Sequence, residues 1–87
     1  MESYKIRFKE SVAKDLRSVP NKDVKRILKR IEALRKDPRP FGSEKLSAQE
    51  RYRVRQGVNR IVYEILDEVL LIWVVKVGHR REIYKHG

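Results

Sequence analysis

The chain opens on an alternation. Tyr4, Ile6 and Phe8 fall on one side of an extended segment and Lys5 and Arg7 on the other, the period-two signature of a strand covered on one face. From residue 11 the period lengthens. Val12, Leu16 and Val19 recur at i, i+4 and i+7 and predict a helix, with Ser11 placed to cap it and Pro20 to end it. A second helix is predicted from Asn21 as cap, with Asp23 in the first turn, where the helix dipole favours negative charge. Its apolar stripe is Val24, Ile27, Leu28, Ile31 and Leu34, while Lys25, Arg26, Lys29, Arg30 and Lys36 lie mostly on the wet side. The run "DPRP" at 37–40 stops it, because proline lacks the backbone donor and disfavours helical geometry in the residue before it. Residues 41–50 read as a loop anchored to the core by Leu46. Three strands follow, at 51–56, 60–66 and 69–77. The first two are joined by a tight turn bracketed by Gly57 and Asn59, the last two by the acidic pair Asp67 and Glu68. The third is apolar on both faces until Lys76, the pattern of a central strand covered on both sides. The polar end, "HRREIYK", reads as a final strand or a hooked tail.

A strand, two helices and then consecutive strands argue for the α+β class. The architecture expected is an N-terminal strand, a two-helix hairpin and an antiparallel β-meander, with both helices packed on one face of the sheet. The expected apolar partners are Ile61, Tyr63 and Ile65 from one strand and Val69, Leu71, Trp73, Val75 and Val77 from the next, with Trp73 in the core. With 87 residues, a single domain over 1–87 is the expectation.

Charge alters this picture more than length does. Lys and Arg number 22 against 12 Asp and Glu, a net charge of +10, and a surface this basic points to a polyanionic partner. There are no cysteines, which excludes disulfides and thiolate metal sites and fits a reducing, cytoplasmic setting. The amino terminus carries no apolar run resembling a signal peptide, and "VLLIWVV" is too short to span a bilayer, so no membrane partner is expected.

The candidate chemistry lies in "RYRVRQGVNRIVYEI". Arg51, Arg53 and Arg55 project to one side of a strand, and Arg60 sits just across the turn with Val62 and Glu64 as same-face neighbours. "GHRR" follows the central strand, and Tyr84 lies beyond it. Guanidinium offers a planar fork of donors matched to phosphate oxygens, and a tyrosine ring offers a platform for a base. Together they describe a pocket for single-stranded RNA. Arg51, Lys76 and Arg81 are further RNA-binding candidates. Two histidines, His79 and His86, without a clustered carboxylate pair make a poor metal site, so neither metal nor cofactor is expected. The plainer readings are that basic strands are solvated edges that deter aggregation, that Arg60 pairs with Glu64, and that Tyr84 packs.

The ordered set "YRVRQGVNRIVYEILDEVLLIWVVKVGHRREIY", with "YKIRF", "LRKDPRP" and "EKL" before it, resembles the RelE toxins of the RelE/ParE superfamily from about Tyr4 to Tyr84. The resemblance implies the toxin of a type II toxin–antitoxin pair, a ribosome-dependent mRNA endonuclease cutting codons in the A site. The implied reaction is attack of a ribose 2′-hydroxyl on the adjacent phosphate without metal. It implies that Arg53, Arg55, Arg60, Arg80 and Tyr84 are the catalytic set, with Arg80 stabilising the transition state and Tyr84 stacking on the substrate. A well-studied type of RelE toxin carries lysines at the positions of Arg53 and Arg55. Arginine is hardly ever a base, so the acid–base group is left open among Tyr84, His79, His86 and Glu50. The implied partners are a cognate RelB-like antitoxin, the ribosome with its rRNA, and mRNA. A heterotetramer with the antitoxin is one assembly the resemblance allows. A ParE-like gyrase inhibitor of the same fold, a binding module and a toxin that has lost its activity are the alternatives.

Overall fold

The computed structural model describes residues 3–46 and 50–79. The elements run β1 (Lys5–Phe8), α1 (Glu10–Arg17), α2 (Asn21–Ala33), β2 (Glu44–Lys45), β3 (Arg51–Gln56), β4 (Asn59–Leu66), a 3₁₀ turn (Asp67–Val69) and β5 (Leu71–His79). They build one five-stranded sheet in the order β1-β5-β4-β3-β2. Strands β2 to β5 are antiparallel neighbours; β1 joins parallel to β5. The expected α+β class and its meander are what the chain forms, with β1 added beside β5.

Both helices cover the same face. Val12 of α1, Ile27 and Ile31 of α2, and Leu34 just after α2 pack against Tyr52, Val54, Ile61, Tyr63, Ile65, Ile72, Val74 and Val77. Register explains why those sheet residues share a side: Tyr52 stands opposite Tyr63 and Tyr63 opposite Val74, Val54 opposite Ile61 and Ile61 opposite Val77. The Tyr52 and Tyr63 rings stack with centroids 6.0 Å apart. The buried Tyr63 hydroxyl donates to the Pro38 carbonyl at 2.6 Å, tying the chain after α2 to the sheet.

Several local expectations need correction. Ser11 lies inside α1, whose cap is Lys9, and Asn21 is the first residue of α2, whose cap is Pro20; neither cap supplies a side-chain bond. Leu28 is exposed, turned away from the side of α2 that meets the sheet. The loop before β3 contains β2, with Glu44 opposite Arg53 and Lys45 opposite Tyr52, and Leu46 is exposed rather than an anchor. Phe8 too is exposed, although Tyr4 and Ile6 pack against the core.

The largest correction concerns the last strand, which lies beside the central β4. β5 starts at Leu71; Val69 sits in the exposed 3₁₀ turn and Leu70 holds φ at 52°. Its core side carries Ile72, Val74 and Val77, which do not share one parity. A bulge opposite Val62 and Tyr63 sets Val74 against Tyr63 and Lys76 against Val62, so Val75 is the extra residue. Before the bulge, therefore, Leu71 and Trp73 face away from the helices, and Trp73 is 38% exposed. A strand apolar on both faces gives no parity signal, and the bulge removes the one that Val77 offered.

The turn between β3 and β4 is the two-residue loop Gly57–Val58, closed by the pair Gln56 and Asn59. Gly57 has φ of 63°, the left-handed start that primed hairpin turns require. This turn sets which residues of β3 and β4 meet, and hence the site.

Candidate nucleic-acid interface

Side chains directly across an antiparallel pair lie on the same face. The β3–β4 register pairs Arg51 with Glu64, Arg53 with Val62 and Arg55 with Arg60. The register continues from Glu64 to Trp73, from Val62 to Lys76 and from Arg60 to Gly78 on β5, and from Trp73 to Arg7 and Leu71 to Lys5 on β1. Glu44 on β2 completes the Arg53 row. The face without helices thus gathers Lys5, Arg7, Arg51, Arg53, Arg55, Arg60 and Lys76 across four strands.

The carboxylates there are already engaged. Arg51 pairs with Glu64, its Nε donating at 3.0 Å. Arg53 pairs with Glu44. Glu64, the partner expected for Arg60, is engaged by Arg51. Arg60 is 3% exposed, an unusual depth for a guanidinium, beside the exposed Arg55 and the hairpin loop that line a small cleft with it. Among the described residues Arg55 and Arg7 have no ion-pair partner. Lys76 reaches the edge of the sheet, its Nζ donating to Asp15 Oδ1 at 3.1 Å, while the Val77 amide donates to Asp15 Oδ2 at 3.2 Å.

The two acid–base candidates among the described residues lie apart. His79 pairs in register with Asn59, on the helix-bearing face rather than the arginine face. Glu50 lies just before β3, at the end far from Arg55. Its carboxylate accepts from the Tyr52 hydroxyl at 2.7 Å and from Arg39 Nη2 at 3.2 Å, and these bonds hold it below the usual carboxylate range. Arg39 is the hub there. It also donates to Asp67 at 2.8 Å and to the Tyr52 hydroxyl at 3.0 Å, and Tyr4 donates to Asp67 at 2.6 Å. The bonds from Arg39 and Tyr4 likewise lower the Asp67 pKa, and the bonds to Asp67, Tyr52 and Glu50 raise that of Arg39. Glu50 is thus a strut joining the loop after α2 to the sheet. Arg80, Arg81, Tyr84 and His86 lie outside the described residues.

Sequence reasoning found Arg51, Arg53, Arg55, Arg60 and Lys76 because alternation within a strand suffices. It missed Lys5, Arg7 and Trp73 as members of the same face. The alternation of β1 had already separated Lys5 and Arg7 from its apolar side; what was lacking was the neighbour of β1.

A family model described as the ParE toxin of the type II toxin–antitoxin system, parDE, matches residues 6–84. The chain belongs to the RelE/ParE family of type II toxins. The protein named "Putative toxin RelE1" of Methanocaldococcus jannaschii is 31% identical over 87 residues, covering 95% of this toxin and 97% of its relative. The toxin also superimposes on the RelB–RelE antitoxin–toxin complex of Methanococcus jannaschii with a TM-score of 0.74, at 29% identity over 91% of this chain and 95% of that one. The isolated RelE toxin of E. coli shares the fold, with a TM-score of 0.78 at 23% identity over 95% and 93% of the two chains.

Proposed function

We propose that this toxin is a ribosome-dependent mRNA endonuclease, and that Arg53, Arg55 and Arg60 act on the scissile phosphate. The observation supporting this reading is the register that sets these three arginines on one helix-free face, with Arg55 directly opposite Arg60. The reaction joins the ribose 2′-oxygen to the adjacent phosphorus and breaks the bond to the 5′-oxygen, leaving a 2′,3′-cyclic phosphate and a 5′-hydroxyl. Negative charge builds on the phosphate oxygens in the transition state. Fixed guanidiniums stabilise it, usually the largest single contribution in such sites, and general acid–base catalysis adds about 10²–10⁴-fold. With His79 on the other face and Glu50 in the Arg39 network, the residues left for proton transfer are in the segment that carries Arg80, Tyr84 and His86. Arg80 and Tyr84 take the roles their resemblance gives them. The ribosome supplies the alignment of sugar and phosphate, which is why naked RNA is a poor substrate. The partner that restrains the toxin is a cognate RelB-like antitoxin, as in the solved complexes of its relatives.

A second reading, a ParE-like inhibitor of DNA gyrase, is favoured by the match of the ParE model over residues 6–84. Mapping of RNA 5′ ends after induction separates the two. The nuclease reading expects new ends at codons within translated messages. Intact messages together with lost supercoiling would establish the gyrase reading instead.

A further inference from the structure

The arginine face carries a tryptophan that neither the core nor the proposed reaction uses. Trp73 sits on β5, the strand flanked by β1 and β4, facing away from the helices and 38% exposed. Tryptophan is a costly residue to leave in water on the strand beside the centre of a sheet. The strand beside it is cationic: Arg7 is its register partner on β1 and Lys5 stands one same-face pair further, while Arg53 and Lys76 of the adjoining row are engaged by Glu44 and Asp15. The register partner on its other side, Glu64, is held by Arg51. At about 3.3 Å per residue and about 4.8 Å per strand, Trp73 lies roughly 14–16 Å from the Arg55–Arg60 pair.

We infer that Trp73 is a stacking platform for a flanking base of single-stranded RNA, and that Arg7 and Lys5 hold the phosphates on either side of that base. An aromatic ring on an open sheet face offers a sequence-tolerant π surface, and the cations beside it track the backbone. A protein segment seeking the same ring would meet Arg7 and Lys5 beside it; RNA brings the complementary charge along its whole length. The inference deepens the nuclease reading, since it extends the substrate path from the cleaved linkage across β5 to β1.

The toxin has one tryptophan, so its fluorescence reports on this position alone. A short oligouridylate is titrated into the purified toxin in low salt, with emission followed directly and affinity measured independently by anisotropy of a labelled oligomer. Stacking on Trp73 quenches its emission and shields it from iodide. Trp73→Leu, which keeps an apolar cover on the sheet, lowers affinity by roughly 5- to 150-fold, the contribution of one stacked base. Trp73→Phe restores most of the loss, which a merely structural role would not predict when all three proteins melt alike. Arg55→Gln is the control that separates this inference from the reading beneath it. If Arg55→Gln weakens binding while Trp73→Leu binds as tightly as the wild type and emission is unchanged, the platform is refuted and the nuclease reading stands. If no RNA binds the wild type, the platform is refuted, while the ribosome-dependent nuclease reading is decided by its own 5′-end mapping. Quenching by the antitoxin but not by RNA would also overturn the inference and give the ring to a protein contact.

Discussion

Glu44→Gln is expected to tighten RNA binding although it removes an ion pair. Glu44 lies on the edge strand β2, directly opposite Arg53, and its carboxylate is bonded to the Arg53 guanidinium. The Arg53 side chain is mostly covered and that of Glu44 mostly exposed, so the pair is worth no more than an ordinary surface bridge, about 0.2–1 kcal/mol. A phosphate arriving at Arg53 must displace or share this acid, and that part of the binding energy is forfeited. Substituting the amide removes the competitor and raises the net charge by one. At about 1.4 kcal/mol per decade, recovery of this energy is a roughly 1.5- to 5-fold tighter complex. A newly available phosphate contact also steepens the plot of log affinity against log salt by up to about 0.7 for single strands. The assay is anisotropy of a labelled oligoribonucleotide at several salt concentrations, for wild type, Glu44→Gln, Arg53→Gln and the double variant. The gain should vanish when Arg53 is also replaced. Binding that is unchanged or weaker in Glu44→Gln, with an unaltered salt slope, would refute the assignment of Arg53 to phosphate.

Two further predictions concern the scaffold. Glu50 and Asp67 have pKa values below their ordinary 4.5 and 3.8, so the folded state binds fewer protons than the unfolded one around those values. Their contribution to stability is therefore present above about pH 4.5 and is lost as pH falls through the lowered values; Arg39→Met should flatten this acid limb in melting curves between pH 2 and 7, and an unchanged limb would remove Arg39 from the account. Tyr63→Phe should cost about 1–3 kcal/mol in urea unfolding, because it leaves the buried Pro38 carbonyl without its donor. Burial pushes the Tyr63 hydroxyl up to about 12 from 10.0, so the wild type should lose stability between those values as pH rises, and the phenylalanine variant should lose less.

How much of this was legible in the sequence depends on how each signal is written. Two helices with Val12, Ile27, Ile31 and Leu34 inward follow from spacing alone, and so do the alternations of β3 and β4. The hairpin register follows from Gly57 and the length of its loop. Helix starts did not, because Lys9 and Pro20 cap without side-chain bonds and Ser11 and Asn21 are drawn inside. The side of Trp73 could not be read, since both faces of β5 are apolar and Val75 is a bulge residue that shifts the phase. The pairing of Glu44 with Arg53 was hidden because a two-residue strand has no periodicity. Arg39 was hidden for a different reason: its partners Tyr52, Glu50 and Asp67 lie up to 28 positions away and meet it only after the sheet has formed.

The division of the sheet into two faces carries a physical consequence. The helix-bearing face supplies most of the core, so the other, where Val62 and Arg60 are buried, can still concentrate charge. Rows of arginines at cross-strand distance repel one another, and the unliganded fold bears that cost. Glu64 beside Arg51 and Glu44 beside Arg53 offset part of it. Among the described residues no such acid accompanies Arg55, and its register partner is another arginine, buried to the level of a core residue. Among the three arginines of β3, Arg55 is therefore the one a phosphate can meet without displacing an acid of the described residues. A polyanion that relieves this repulsion stabilises the fold it binds, by the linkage that ties any native-state ligand to stability. The same arrangement makes the site sensitive to salt: ions that screen the repulsion in the free toxin are the ions a phosphate must displace.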